Sequence, residues 1–429
     1  MNSNLTQNLM NFIDASPTMF HTVKSCENVL LENNFSFLSP NKPWSLTVGG
    51  KYYTSLNDSA LIAFTINSNN FTNEGFKMIG THGDVPGFRI KPNPQMTTDC
   101  YVKLNTEGYG GAILSTWFDR PLSIAGRVAV MSDDILCPTS KLVDLNRPII
   151  IIPNLAIHMN REVNTGVNFN KQKDTLPILT YTHETVKEDY ILTLIASELG
   201  VNKDDILDAD LFLYPYEKSM LVGLNEEFIS APRLDDLSMT YSGLEAIVNS
   251  SSTKGISMFI CFDNEEIGSR TRQGADSPFL MHTLERIFLS FGKTREELFI
   301  CLNNSFMLSS DVAHLSHPNY MEKSDPTNKV LPGKGPAIKV NANFSYSTDS
   351  DSAAVFVALC KKNNIPYQVF VNRSDERGGS TIGPVAASHL GIRSIDIGTP
   401  MLAMHSAREL MADEDFIHTT AAMKAFLNI

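Results

Sequence analysis

The sequence of 429 residues lacks an excess of basic side chains. It contains 35 Lys and Arg against 47 Asp and Glu, so its formal net charge is -12 at pH 7. A protein that binds a phosphate backbone needs a concentration of positive charge on its surface. We therefore expect no nucleic acid partner.

Closely spaced cysteines are also missing. The six cysteines stand at positions 26, 100, 137, 261, 301 and 360, with no C-x-x-C pair among them. They are too sparse for the disulfide framework of a small secreted protein. This usage fits a reducing compartment, and we predict a cytoplasmic protein.

Long apolar runs and a signal-like N-terminus are absent too. The longest candidate, residues 148–157, is interrupted by Pro153 and Asn154 and falls short of the roughly 20 residues that a membrane span needs. The N-terminus has no basic start before an apolar stretch. Its apolar residues instead have the spacing of an amphipathic helix: Leu5, Leu9, Phe12 and Ile13. We expect neither a membrane partner nor a signal peptide.

What is present favours a globular protein with two domains. The 42% of hydrophobic residues can fill two cores, which a chain of this length usually needs. Residues 1–92 are predicted as the first part of an α/β domain, 93–230 as an inserted, β-rich domain with a helix near 188–200, and 231–429 as the second part of the α/β domain.

Strand and helix patterns alternate in the last of these segments. Helices are predicted at 238–249, 278–292, 352–364 and from about 405, and extended segments at 255–262, 298–310, 367–372 and 392–398. Together with a buried strand at 76–82, this alternation favours a mixed, mostly parallel sheet flanked by helices. Ligands of such sheets bind beyond the carboxyl ends of the strands.

Histidines and acids cluster where these strands end. A peptide hydrolase needs metal ions to polarise the scissile carbonyl and acidify a water molecule, and a carboxylate to move the proton. Zinc accepts imidazole nitrogen together with carboxylate oxygen. The residues predicted to hold two such ions are His82, Asp235, Glu266, Asp311 and His405.

Two further acids complete the candidate site. Glu265 and Glu266 are adjacent, so their side chains point in different directions, and one can bind metal while the other faces the water. Asp84 lies two residues after His82, where it could fix the tautomer of the imidazole. An Asp that begins the turn before Pro86 is an equally good interpretation of Asp84 from spacing alone.

Ordered sequence blocks from about residue 12 to 410 resemble the M18 aspartyl aminopeptidase family. The blocks are FIDASPTMFHTV, THGDVPGFRIKP, GGAILSTWFDRPLSIAGRV, LAIHMNREVNTG, RLDDL, DNEEIGSRTRQGADS, SSDVAHLSHPNY, GKGPAIKVN, GGSTIGP and MHSARE. The resemblance implies the same five ligands, with Asp235 bridging two Zn²⁺ ions per subunit, or Mn²⁺ or Co²⁺ in their place, and Glu265 as the general base.

The same resemblance implies a β-rich dimerisation domain and a homo-oligomer, a tetrahedral dodecamer built from dimers. It implies substrate contacts at His158, His314, Lys339 and Tyr346. From sequence alone, His158 would be interpreted as a core or turn histidine and Lys339 as a solvated surface charge.

We therefore predict a zinc metallo-aminopeptidase that removes N-terminal residues from peptides. The resemblance implies a preference for N-terminal Asp or Glu, because Lys339 matches a family position that contacts substrate near an acidic side chain; departures from the family pattern at Ser345 and at 375–377 put this preference in doubt. The alternatives are a two-zinc carboxypeptidase or deacylase, and an assembly or cargo protein without activity.

Overall fold

The structure, a computed structural model, describes residues 2–185 and 190–429. The chain forms two compact units. One contains the residues through Asp84 together with 219–404 and 409–429, and the other contains 85–218 and 405–408. Among the described residues, no helix combines the length and the apolar character needed to cross a bilayer.

The helices, in chain order, are α1 Asn2–Asp14, α2 Met19–Glu32, α3 Phe71–Glu74, α4 Tyr190–Leu199, α5 Leu234–Val248, α6 Phe279–Ser290, α7 Arg295–Asn303, α8 Ser350–Asn363, α9 Ile382–Leu390 and α10 Asp413–Leu427. The strands are β1 Ser36–Phe37, β2 Lys51–Leu56, β3 Ala60–Ile66, β4 Phe76–His82, β5 Gly87–Thr98, β6 Tyr101–Tyr109, β7 Leu122–Val130, β8 Thr139–Asp144, β9 Ile178–Tyr181, β10 Ile206–Pro215, β11 Met220–Val222, β12 Phe228–Ala231, β13 Ile256–Phe262, β14 Phe306–Ser310, β15 Ala313–His314, β16 Ala337–Val340, β17 Gln368–Val371, β18 Arg393–Gly398, β19 Pro400–Leu402 and β20 Glu409–Ala412.

The first unit is built on a mixed sheet with the strand order β1-β2-β3-β13-β4-β14-β18-β16-β17. Its middle strands β13, β4, β14 and β18 run parallel, whereas β2, β3 and β16 contribute antiparallel pairs. Side chains alternate between two apolar clusters: Ile260 and Phe262 pack on one side, Phe259 and Cys261 on the other. The predicted mixed, mostly parallel α/β sheet is confirmed.

A smaller sheet in the same unit has the order β11-β12-β20-β19-β15. The second unit is organised around an antiparallel sheet with the order β8-β7-β10-β5-β6-β9. Its core includes Phe88, Trp117 and Leu213, against which Ile191 and Ile195 of α4 pack. The β-rich character predicted for the insertion agrees with this unit.

The divisions between the units differ from the predicted domain boundaries at 92/93 and 230/231. The first of these boundaries falls inside β5, which continues past Pro92 and Pro94. The pairing of β5 with β6 is irregular between Ile90 and Gln95. Because proline cannot donate to the ladder, the two prolines interrupt the pairing without ending the strand.

The prediction of an extended segment at 298–310 is wrong in its first half, which is the helix α7. Thr294 and Glu297 form a reciprocal capping box that fixes the start of this helix. The last helix begins at Asp413, and not near 405, because β20 comes first. Residues 188 and 189 of the helix predicted near 188–200 lie outside the described residues, and α4 covers Tyr190–Leu199.

Candidate metal centre

Three parallel neighbours, β13, β4 and β14, bring the predicted ligands together. Phe262, the last residue of β13, pairs with His82, the last residue of β4. On the other side, Ser309 of β14 pairs with Gly80 of β4. Parallel strands end at the same edge of a sheet, so the segments that follow all three strands converge there. Those segments carry Asp84, the pair 265–266, and Asp311.

Asp84 connects two of these segments. Its carboxylate accepts hydrogen bonds from the backbone N–H groups of Glu265, at 3.0 Å, and Glu266, at 3.1 Å. The Nδ1 atom of His82 lies 3.1 Å from the carbonyl oxygen of Asp84 and 3.4 Å from its carboxylate. A hydrogen on Nδ1 therefore faces acceptors, which places the lone pair of the imidazole on Nε2.

The Nε2 atom of His82 points towards carboxylates. It lies 3.5 Å from Asp235 Oδ1 and 4.0 Å from Asp311 Oδ1. The ligand atoms of His82, Asp235, Asp236 and Asp311 all lie within 4.8 Å of one another, and His82, Glu265 and Glu266 form a second such group. The predicted acids Asp235, Glu265, Glu266 and Asp311 thus lie around the imidazole of His82 within the first unit.

Two acids of the site were not predicted as site residues. The Oδ2 atom of Asp236 accepts a hydrogen bond from the backbone N–H of His82 at 3.1 Å. The buried Glu409 accepts one from the backbone N–H of Asp235, also at 3.1 Å. Asp236 lies in the motif RLDDL and Glu409 in the motif MHSARE. No local pattern in the sequence indicated that their carboxylates accept hydrogen bonds from the backbone of His82 and Asp235.

Burial and mutual repulsion perturb the acids strongly. Burial raises the pKa of Glu265 to about 8; the carboxylates of Asp311 and Asp84 add to this rise, and His82 opposes it. The pKa values of Glu266 and Asp236 are also raised well above their usual range, mainly by burial. Burial alone would lower the pKa of His82, yet the carboxylates around it, led by Asp236, raise it well above its usual value.

These residues fit a site for metal cations. The donors are imidazole nitrogen and carboxylate oxygen, the combination that zinc accepts. The Oδ1 atom of Asp236 is buried and has no hydrogen-bond partner among the described residues. Several acids crowded around one imidazole need positive charge to be stable in their ionised form, and bound cations would supply it.

Lys339 lies beside the cluster and is not the solvated surface charge that the sequence alone suggested. Its side chain is 4% exposed, and Nζ lies 3.2 Å from Asp311 Oδ2. The ring centroid of the buried Tyr346 lies 5.3 Å from the same Nζ atom. Burial alone would lower the pKa of Lys339, yet the carboxylate of Asp311 raises it above its usual value, so the lysine remains a cation.

Three further predicted site residues are His314, His158 and His405. His314 is exposed at the end of β15, three residues after Asp311, with its ring centroid 5.7 Å from that of Phe370. His158 is exposed in a turn of the second unit. His405 belongs to the short segment 405–408 of the second unit, where its Nδ1 atom lies 3.2 Å from the carbonyl oxygen of Gly111. Its role as a ligand stays a prediction.

A mixed α/β unit with His and carboxylate donors at the ends of parallel strands has the features of a metal-dependent hydrolase. Residues 12–427 match the family described as "Aminopeptidase I zinc metalloprotease (M18)". The chain belongs to this family of zinc metallo-aminopeptidases.

Known relatives resemble the chain over almost its whole length. The "Probable M18 family aminopeptidase 2" of Clostridium acetobutylicum is 53% identical over 98% of both chains. A chain of the solved structure "Cryo-EM structure of the Ape4 and Nbr1 complex" is 34% identical, with a TM-score of 0.95 over 99% of this chain and 86% of the other. The Saccharomyces mApe1 dodecamer is 28% identical, with a TM-score of 0.85 over 99% and 95% of the two chains.

Proposed function

We propose that the protein hydrolyses the peptide bond after the N-terminal residue of peptides, with two metal ions and Glu265 as the general base. The single observation that supports this most is the cluster in which His82, Asp235 and Asp311 approach one another beside Glu265 and Glu266. In the proposal His82, Asp235, Glu266, Asp311 and His405 would hold the two ions.

When bound, zinc ions would polarise the scissile carbonyl and acidify a water molecule. Glu265 would accept a proton from the attacking water and deliver it to the leaving amine. Nearby cations favour the ionised form of a carboxyl group, so Glu265 would be a carboxylate at neutral pH in the loaded enzyme although its pKa is about 8 without metal. Asp84 would hold Glu265 and Glu266 in place through their backbone N–H groups.

The preference for acidic N-terminal residues, predicted from Lys339, gains little support from the contacts of that lysine. Its Nζ atom already donates to Asp311. An acidic substrate side chain would therefore have to share the cation with a proposed metal ligand. We propose that the main role of Lys339 is to compensate the charge of Asp311, and that other residues set the preference.

We also propose that the chain assembles as a dodecamer built from dimers. A solved relative, mApe1, is described as a dodecamer, and the match includes 95% of its chain. His158 is exposed in the described single chain, as expected for a side chain that completes its contacts on a neighbouring subunit. In the proposal, the second unit carries the dimer interface and His158 reaches the site of another subunit.

A substrate with a blocked N-terminus tests the proposed reaction. We expect the purified protein, supplied with zinc, to release the first residue of Leu- and Asp-terminal peptides and to leave their N-acetylated forms intact. Mass spectrometry of the products identifies the bond that breaks. Release of C-terminal residues would instead indicate a carboxypeptidase, and release of the acetyl group would indicate a deacylase.

A further inference from the structure

A cavity of about 270 Å³ lies in the first unit beside His314. One part of its wall is apolar and includes Val330, Phe370, Met401 and Leu402. Another part carries charged side chains: Lys323, Asp325, Arg373 and Glu376. The cavity therefore has both an apolar surface and ionic groups that could select among substrate side chains.

The cavity adjoins the proposed catalytic centre along the chain and across the sheet. His314, in its wall, is three residues from Asp311, a separation that spans at most about 10 Å. Phe370, also in its wall, pairs in register with Lys339, the partner of Asp311. The ring of Tyr346 lies 6.4 Å from that of Phe370. The first side chain of a peptide bound at the centre would lie within reach of this cavity.

Both cations of the cavity already have partners from the same chain. Lys323 forms an ion pair with Glu376, and this carboxylate raises the pKa of the lysine. Arg373 holds Asp375 through two bonds, at 2.6 and 3.0 Å. The side chain of Asp325 is occupied by the turn that it caps, where it accepts from Thr327 and Asn328.

We propose that Glu376 determines the specificity of this cavity by occupying Lys323. An acidic substrate side chain would have to displace Glu376 before it could bind the lysine, whereas an uncharged side chain needs no such exchange. Because Lys323 is 64% exposed and Glu376 43%, water screens the pair and the exchange has a modest cost. The inference rests on the proposed aminopeptidase function, of which it names the selective element.

The test compares kcat/KM for Asp- and Leu-terminal peptides of otherwise identical sequence, using the zinc-loaded full chain. Glu376→Gln should raise the ratio of Asp to Leu about two- to fivefold, chiefly through a lower KM for the Asp peptide. The double variant Lys323→Met, Glu376→Gln should lose this gain. Glu226→Gln, which removes the same charge from an exposed loop of the same unit, should leave the ratio unchanged.

An unchanged ratio in Glu376→Gln would overturn the inference, and so would an equal rise in Glu226→Gln, which would show an effect of net charge alone. A wild type that hydrolyses neither peptide would instead refute the proposed function. In that case the affinities of the same variants for L-Asp and L-Leu, measured by calorimetry, still test the inference. The inference fails if the affinity for L-Asp relative to L-Leu is no higher in Glu376→Gln than in wild type.

Discussion

Asp84 shows how one buried residue can organise a site without binding metal or substrate itself. Its side chain is fully buried, and its two carboxylate oxygens take the backbone N–H groups of the proposed base and of the next residue. Its carbonyl oxygen lies within hydrogen-bond distance of the Nδ1 atom of His82. The sequence left two interpretations of Asp84 open, and these contacts favour its role in orienting the imidazole.

We expect Asp84→Ala to weaken zinc binding about 10- to 100-fold, the usual cost of removing a group that orients ligands. Two backbone N–H groups would lose their acceptor, and the 265–266 segment would lose its anchor. Zinc affinity is measured by competition with a chelator. Asp84→Asn, which keeps one oxygen acceptor at nearly the same volume, should fall between wild type and Asp84→Ala. Equal affinities in all three proteins would refute the orienting role.

Two contacts of the site could not be predicted from the sequence, for a physical reason. Lys339 looks like a surface charge along the chain, because its partner Asp311 is 28 positions away and the pair forms only in the folded sheet. Glu409 reaches Asp235 over 174 positions. No local pattern records such contacts. The proposed ligands could be predicted because several histidines and acids occur in combination near the ends of predicted strands and in the turns between elements.

At the scale of elements, the sheet was predictable and the helix α7 was not. The apolar strands β4 and β13 have clear ends at His82 and Phe262. In contrast, the apolar residues of 298–310 do not distinguish a helix from a strand, since short apolar segments lack a decisive period. The local signal that could have decided was Thr294 with Glu297, three positions apart, the pattern of a capping box.

That capping box gives a prediction for α7. Thr294→Ala removes the hydroxyl that accepts from the backbone N–H of Glu297 at 3.2 Å. We expect a loss of about 1 kcal/mol in the local stability of the helix. Amide hydrogen exchange over Arg295–Asn303 measures it. Thr294→Ser keeps the acceptor and should exchange like wild type, so equal exchange in the Ala and Ser variants would contradict the capping role.

At the scale of the whole molecule, the crowded acids predict how stability depends on pH. Folding raises the pKa of Glu265, Glu266, Asp236 and Asp311. A group with a raised pKa contributes its full stability below its unfolded pKa and loses it as the pH rises through the folded value. The metal-free protein should therefore lose stability from about pH 4.5 to about pH 8.

Zinc should oppose this loss, because it binds deprotonated carboxylates and its affinity grows with pH. The measurement is the Tm at pH 5, 6.5 and 8, with a chelator and with zinc. The zinc-dependent increase in Tm should be largest at pH 8, and Glu265→Gln should flatten the slope of the metal-free protein. A metal-free Tm that rises over this interval would contradict the proposed titration.

Assembly gives a prediction of its own. If His158 serves the site of a neighbouring subunit, His158→Ala and Glu265→Gln subunits should each have low activity alone and regain part of the wild-type activity when mixed. Some sites of the mixed oligomer would then contain an intact copy of both residues. Differently tagged subunits, purified through both tags, establish that exchange has occurred. Mixed oligomers that remain as inactive as their parents would exclude a shared site.

Zinc content and turnover, measured on the same preparations of wild type and Glu265→Gln, test the proposed two-metal reaction most directly. We predict two zinc ions per subunit in both proteins and a kcat that is lower in the variant by roughly 10²–10⁴, the contribution expected of a general base. Glu265→Gln removes only the proton acceptor and leaves the proposed ligands in place. A variant that retains both ions and wild-type turnover would show that Glu265 is not the base.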